Sequence, residues 1–260
     1  MRLRKAMLPV LSTAALFTPL LLSPVATAAT PVAHAPRIKA KAPQGSATSN
    51  FGWSSSNWSG YAITGGPYNT ITGSWVVPAV QPSTKSTYSS SWIGIDGFNN
   101  SNLIQTGTEQ DYYNGSAHYG AWWEILPAAE TVIPSLTVHP GDHMSASVQN
   151  LGTGQWSITL KDDTTGQSFT TQQAYSGPES SAEWIQEAPT VGGRVAPLAN
   201  YGETTFDPGT VNGSNPNLVV ADGGVMVQKQ TQVSTPSAPD KDTDGFNAQY
   251  GSAQPTPPAS

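Results

Sequence analysis

Apolar positions in this 260-residue chain fall in short stretches rich in Val, Ile, Thr, Trp and Tyr. Gly, Asn, Asp and Pro divide them about every 8 to 12 residues, the pattern of antiparallel β-structure. No helical period of ordinary length is visible. Strands are predicted over 59–64, 70–77, 91–96, 103–106, 118–126, 135–138, 143–149, 155–161, 182–187, 218–221, 225–233 and 246–250. Asn150-Leu-Gly-Thr-Gly154 and Asp162-Asp-Thr-Thr-Gly166 read as hairpin turns. More than ten strands in one chain predict an all-β fold, an antiparallel β-sandwich of two packed sheets.

Strand alternation sorts side chains by face. Trp92, Gly94 and Asp96 share one side of their strand, Trp122 and Glu124 one side of theirs, and Glu183, Ile185 and Glu187 one side of a third. Aromatic or aliphatic residues beside carboxylates are unusual for a plain sandwich, where one face is apolar and the other polar. A sheet face carrying both reads as a binding groove, with indoles supplying area and acids supplying chemistry.

Ahead of this pattern stand Arg2, Arg4 and Lys5, an apolar run from Met7 to Leu22, and Ala26-Thr27-Ala28. That is the layout of a secretory signal peptide over residues 1–28. The run is shorter than the roughly 20 residues of a membrane span, and no second one follows. The expected destination is extracellular, with no membrane anchor. Residues 29–50 are Pro- and Ala-rich and hold Arg37, Lys39 and Lys41. They are expected to form a basic pro-segment that pairs with the domain until removed, or a plain linker. Residues 51–250 form the β-domain, and the Pro-, Ala- and Ser-rich 251–260 read as a disordered tail.

All 17 acidic residues lie at or beyond Asp96, and from residue 51 onward only five Lys and Arg oppose them, a formal balance of −12. Such a surface excludes nucleic acid and anionic membrane as partners. It suits an acidic working pH, since protonation there removes repulsion; the plainer reading is solubility. The chain has no cysteine, so neither disulfides nor a thiol nucleophile are available. The eight Trp, all between Trp53 and Trp184, supply core volume instead. The four His show no metal-ligand spacing, no metal or other cofactor is expected, and with no partner surface legible the chain is expected to be a monomer. Gly-x-Ser-x-Gly, Asp-Thr-Gly and Asp-Ser-Gly are all absent.

The segments Ser91-Trp-Ile-Gly-Ile-Asp-Gly97, Asn102-Leu-Ile-Gln-Thr-Gly107, Ala121-Trp-Trp-Glu124, Ser181-Ala-Glu-Trp-Ile185 and Asn57-Trp-Ser-Gly-Tyr61 closely resemble the glutamic peptidases, or eqolisins. The resemblance covers most of the chain from about Asn57 to Tyr250 and implies a sandwich of the concanavalin A-like, jelly-roll type. It also implies polypeptide substrates, endopeptidase activity in acid, insensitivity to pepstatin-type inhibitors, and catalysis by Gln105 and Glu183. Glu183 would be the general base and later acid on water, and Gln105 the amide donor to the oxyanion. Trp92 and Trp122 would wall the groove, with Asp96, Glu124 and Glu109 in supporting or substrate-binding places. Two positions depart from the family's pattern: Glu109, where Asp is more usual, and Gly120, where an acid often stands. The lack of cysteine resembles the bacterial branch. On the residues alone, Glu187 rivals Glu183 as the base. Two other functions also stay open: a secreted carbohydrate-binding sandwich, and a glycoside hydrolase using Glu124 and Glu183. Gln105 discriminates, because only the peptidase needs it.

Overall fold

The computed structural model describes residues 32, 34, 35, 38–43 and 50–260. The expected leader, 1–28, and much of 29–50 lie outside the described residues. The strands are β1 (Trp53–Ser55), β2 (Trp58–Thr64), β3 (Thr70–Val76), β4 (Ser90–Ile95), β5 (Ile104–Tyr113) and β6 (Ser116–Ile125). Then come β7 (Thr131–Val132), β8 (His143–Gly152), β9 (Gln155–Asp162), β10 (Ser168–Ala174), β11 (Ser181–Glu187) and β12 (Thr190–Val191). Last are β13 (Arg194–Val195), β14 (Glu203–Val211), β15 (Gly223–Gln228), β16 (Thr231–Pro236) and β17 (Phe246–Tyr250). The one helical piece among the described residues is the 3₁₀ turn Val220–Asp222, and none is long and apolar enough to cross a membrane.

Fourteen strands follow one hydrogen-bonded path, β10-β9-β8-β3-β14-β17-β16-β15-β2-β11-β4-β5-β6-β7, and β1 joins β15 in parallel to make fifteen. The expected two layers arise because this path folds over on itself. The indole of Trp75 on β3 donates to Thr108 Oγ1 on β5 at 2.9 Å, and that of Trp184 on β11 donates to the Thr72 carbonyl at 2.9 Å. Gly73 permits the approach: a Cβ there would meet Ile93 at 2.7 Å and Trp184 at 2.8 Å. Between the layers lies a core that includes Ile71, Trp75, Ile93, Ile95, Ile104, Val148, Trp156, Ile158, Trp184 and Phe206. Indoles and aliphatics of this size each bury roughly 2 kcal/mol of apolar surface, which suffices without disulfides.

Several elements differ from the sequence pattern for identifiable reasons. Residues 135–138 and 218–221 are not strands, whereas Glu203–Val211 is one despite Asp207-Pro-Gly209. A register shift between Phe206 and Gly209 absorbs the proline. The predicted strand 225–233 is a hairpin, turned by Lys229 and Gln230 at φ of 49° and 65°. That pair carries none of the usual Asn-Gly signal for a left-handed two-residue loop. β10 escapes the pattern because it is a polar outer strand that pairs only with β9. The final ten residues, expected to be a loose tail, are tied back. Asn247 Nδ2 donates to the Thr256 carbonyl at 2.9 Å, and Pro255 is buried.

Candidate active site

The face of β2, β11, β4, β5 and β6 turned away from the interlayer core carries a second apolar cluster that includes Trp58, Trp92, Trp122 and Ile185. Pairing register sets four residues in line across it. Glu183 on β11 lies opposite Gly94 on β4, Gly94 opposite Gln105 on β5, and Gln105 opposite Glu124 on β6. Two strand spacings, about 9–10 Å between Cα atoms, separate Glu183 from Gln105. Gly94 leaves that interval open. A Cβ there would come within 3.0 Å of the Ile104 carbonyl and 3.1 Å of Gln105 Cβ.

Glu183 is fully buried, and neither carboxylate oxygen has a hydrogen-bond partner. Burial pushes its pKa well above the carboxylate norm and the charge of Asp96 adds to this. The nearby Ser181 hydroxyl and the Lys39 ammonium oppose it. Gln105 donates through Nε2 to Glu124 Oε2 at 2.5 Å, while its own Oε1 is unpartnered. Burial raises Glu124 to about 8 against the Gln105 hydrogen bond. Glu187 is engaged at both oxygens, by Trp92 Nε1 at 2.8 Å and Asn57 Nδ2 at 3.3 Å, and burial with the charge of Glu124 raises it to about 8.

The remaining expected site residues divide. Trp92 and Trp122 belong to the face cluster, Trp92 edge-on to Trp58 at 4.9 Å and Trp122 donating to Ser90 Oγ at 3.1 Å. Glu109 lies two rows along on the same face, opposite Gly120, and a Cβ at 120 would sit 2.6 Å from its Oε1. The two positions expected to depart from the family's pattern thus touch: Glu109 fills the space a side chain at 120 would need. Asp96 does not continue the face of Trp92 and Gly94. β4 ends at Ile95, Asp96 turns at φ 75°, and its carboxylate takes five hydrogen bonds, from Tyr175, Glu179, Asn100 and, twice, Ser180. It fastens the 175–180 connection beside Glu183.

His34, which precedes the domain and has no motif around it, is buried among carboxylates. Its Nε2 lies 3.0 Å from Asp111 and 3.5 Å from Glu109, and its Nδ1 lies 3.5 Å from Glu130. The carboxylates hold it cationic against burial, with a pKa raised to about 10. Burial pushes Glu109 up to about 8 and raises Asp111 and Glu130 as well, against the charge of His34. Ala35 N donates to the Thr190 carbonyl at 2.8 Å. His34 and Ala35 close a small cavity lined also by Gln105, Glu124, Trp122 and Glu187. Beyond Glu183, Asn57 Nδ2 donates to the Ile38 carbonyl at 3.2 Å, and Lys39 N donates to the Gly97 carbonyl at 3.3 Å. The Lys39 ammonium stands 3.2 Å from the Phe98 ring centroid. Nothing local to His34, Asp111 or Glu130 marks them in the sequence, and the motif that holds Asn57 does not show its partners; only folding brings them together.

A β-sandwich with two carboxylates and a carboxamide aligned on one buried face has the groups that general acid–base chemistry on water requires, and so fits the class of hydrolases. The comparisons then specify it. Residues 56–247 match the Peptidase A4 family, and the chain belongs to that family, the glutamic peptidases or eqolisins. It is 30% identical over 198 residues to aspergillopepsin-2 of Aspergillus niger, covering 66% of this chain and 70% of that one. Aspergilloglutamic peptidase from Aspergillus niger superposes with a TM-score of 0.53 at 25% identity, over 63% of this chain and 99% of that one. Scytalido-glutamic peptidase, solved with a transition-state analogue, matches in fold with a TM-score of 0.64 at 23% identity, over 75% of this chain and 98% of that one. The chain is therefore a glutamic-type peptidase, and its substrates are polypeptides.

Proposed function

We propose that the chain is a secreted, monomeric acid endopeptidase in which Glu183 and Gln105 carry the chemistry. The observation that carries this reading is the state of Glu183: buried, with both oxygens unengaged, on the same cross-strand row as Gln105. The rival Glu187 already has both oxygens occupied. A scissile carbonyl over Gly94 stands between the two groups. Glu183 takes a proton from water as the oxygen attacks the carbonyl carbon, Gln105 donates an N–H to the oxyanion, and Glu183 returns the proton to the leaving nitrogen. Glu124, accepting one amide N–H, orients Gln105 and leaves the other for substrate. That contact also weakens a glycosidase reading, because Glu124 serves the amide rather than facing Glu183 as an equal.

The stretch through His34, Ala35 and Ile38–Lys41 acts as a pro-segment strap. Its anchors stand on both sides of the Glu183 row, and Glu183 under it is shut off from water, which favours the neutral acid that cannot act as base. Removing the strap hydrates Glu183 and returns its pKa toward the ordinary carboxylate value of about 4, where an acid-pH base operates. The test is cleavage of denatured haemoglobin or casein across pH 2 to 7 with pepstatin present. Processed wild type should cleave only in acid, and both Glu183→Gln and Gln105→Ala should be inactive or nearly so. Inactivity of processed wild type at every pH, or retained activity in Glu183→Gln, would overturn the assignment.

A further inference from the structure

Away from the peptidase face, the turn into β17 reads Asp240-Lys-Asp242-Thr-Asp244-Gly245, acids at alternate positions closed by glycine. That is the spacing of calcium-binding loops, in which alternate carboxylates point to one ion and glycine permits the sharp bend. The side chains agree with it. Asp240 is 6% exposed; its Oδ1 accepts the N–H groups of Asp244 and Gly245 at 3.2 and 3.3 Å, and its Oδ2 is buried with no partner. Asp244 Oδ1 is likewise buried and unpartnered. From β14, the strand paired with β17, Asp207 brings a third carboxylate, and one oxygen from each of Asp207, Asp240 and Asp244 lies within 4.8 Å of the others. Gly245 makes the convergence possible: a Cβ there would strike Asp240 Oδ2 at 2.7 Å and Asp207 Cγ at 2.8 Å.

Asp242 stands exposed at the rim, and among the described residues no ion pair reaches any of the four, Lys241 included. A buried carboxylate oxygen with neither donor nor cation is costly, and a hard divalent ion with oxygen ligands removes that cost. We propose that Asp207, Asp240 and Asp244 form a Ca²⁺-type site, with Asp242 adding charge at its rim. The ion clamps the turn before β17 to β14. The clamp bears on the interlayer core, because Asp244 O accepts Gly209 N at 2.9 Å and a Cβ at Gly209 would meet the Trp184 indole at 2.7 Å.

The experiment is thermal unfolding of the full chain near neutral pH, after chelator treatment, with and without millimolar CaCl₂, beside calorimetric titration with CaCl₂. Wild type should bind one Ca²⁺ and gain at least about 3 °C in Tm. Asp207→Asn and Asp240→Asn should each lose most of that gain, and Mg²⁺ should give a smaller one. Asp207 is only half-buried, so its variant should fold even if Asp240→Asn does not. Absence of Ca²⁺ binding in wild type, or an undiminished shift in Asp207→Asn, would overturn the site.

Discussion

Glu183 and Glu187 are four residues apart on one strand face, share full or near-full burial, and both have raised pKa values. What separates them is hydrogen-bond occupancy. Glu187→Gln keeps an acceptor for Trp92, so its kcat/KM should stay within about tenfold of wild type. Glu183→Gln should lose on the order of 10⁴ in kcat, and Gln105→Ala about 10² to 10³. Equal losses at 183 and 187 in parallel kinetics would refute this division. Gly94→Ala places a methyl group between the dyad and against the Ile104 carbonyl, so kcat should drop by about tenfold or more, because near-attack geometry tolerates little displacement. If Gly94→Ala turns over at the wild-type rate, the substrate carbonyl does not lie over that position.

At the scale of elements, β5 is the most instructive. Its second half, Glu109-Gln-Asp-Tyr-Tyr113, is too polar to read as a buried strand, and the sequence pattern ends it at Thr106. The structure continues it to Tyr113 with nearly every residue buried. The reason lies outside the element: His34 neutralises Glu109 and Asp111 from a segment more than seventy residues upstream. Strap docking therefore depends on pH. The His34 contribution is complete below its unperturbed 6.5 and is lost as pH rises through about 10. Burial leaves the cage acids raised as well, Glu109 to about 8, so their contribution has the same sense, present in acid and lost as pH climbs through the raised values. A synthetic peptide spanning 31–43 should bind processed enzyme well from acid to neutrality and weaken progressively as pH rises above about 8, and a His34→Ala peptide should bind at least about tenfold more weakly. Binding that strengthens steadily toward high pH would show that the cage is not the anchor.

The whole molecule carries the same logic in its stability. Glu124 and Glu187 are held near 8 by burial, from an ordinary value of 4.5. A carboxyl whose folded pKa is raised favours the fold as the neutral acid. That contribution is complete below about 4.5 and drains away as pH climbs to about 8. With only five Lys and Arg beyond residue 51, acid builds little opposing positive charge. Thermal melts of the full chain should therefore give a higher Tm near pH 4 than near pH 8, and Glu187→Gln should flatten that slope. A Tm rising steadily toward pH 8 would contradict the account.

The sequence by itself determined the β-class, most strand positions, the face on which most strand side chains stand, and the family through motifs centred on Trp92, Gln105, Glu124 and Glu183. Those are local properties: alternation and motif spacing are written along a single strand. The line Glu183–Gly94–Gln105–Glu124, the cage around His34 and the approach of Asp207 to the Asp240 turn were decided only by tertiary structure. Each joins residues from different strands or segments, some of them tens of residues apart in the chain. Lateral register comes from hydrogen bonding between chain segments, and no periodicity within one segment records it. The same cause explains why polar β5 is buried and why Asp96 leaves its expected face. In both, a distant partner outweighed the local pattern.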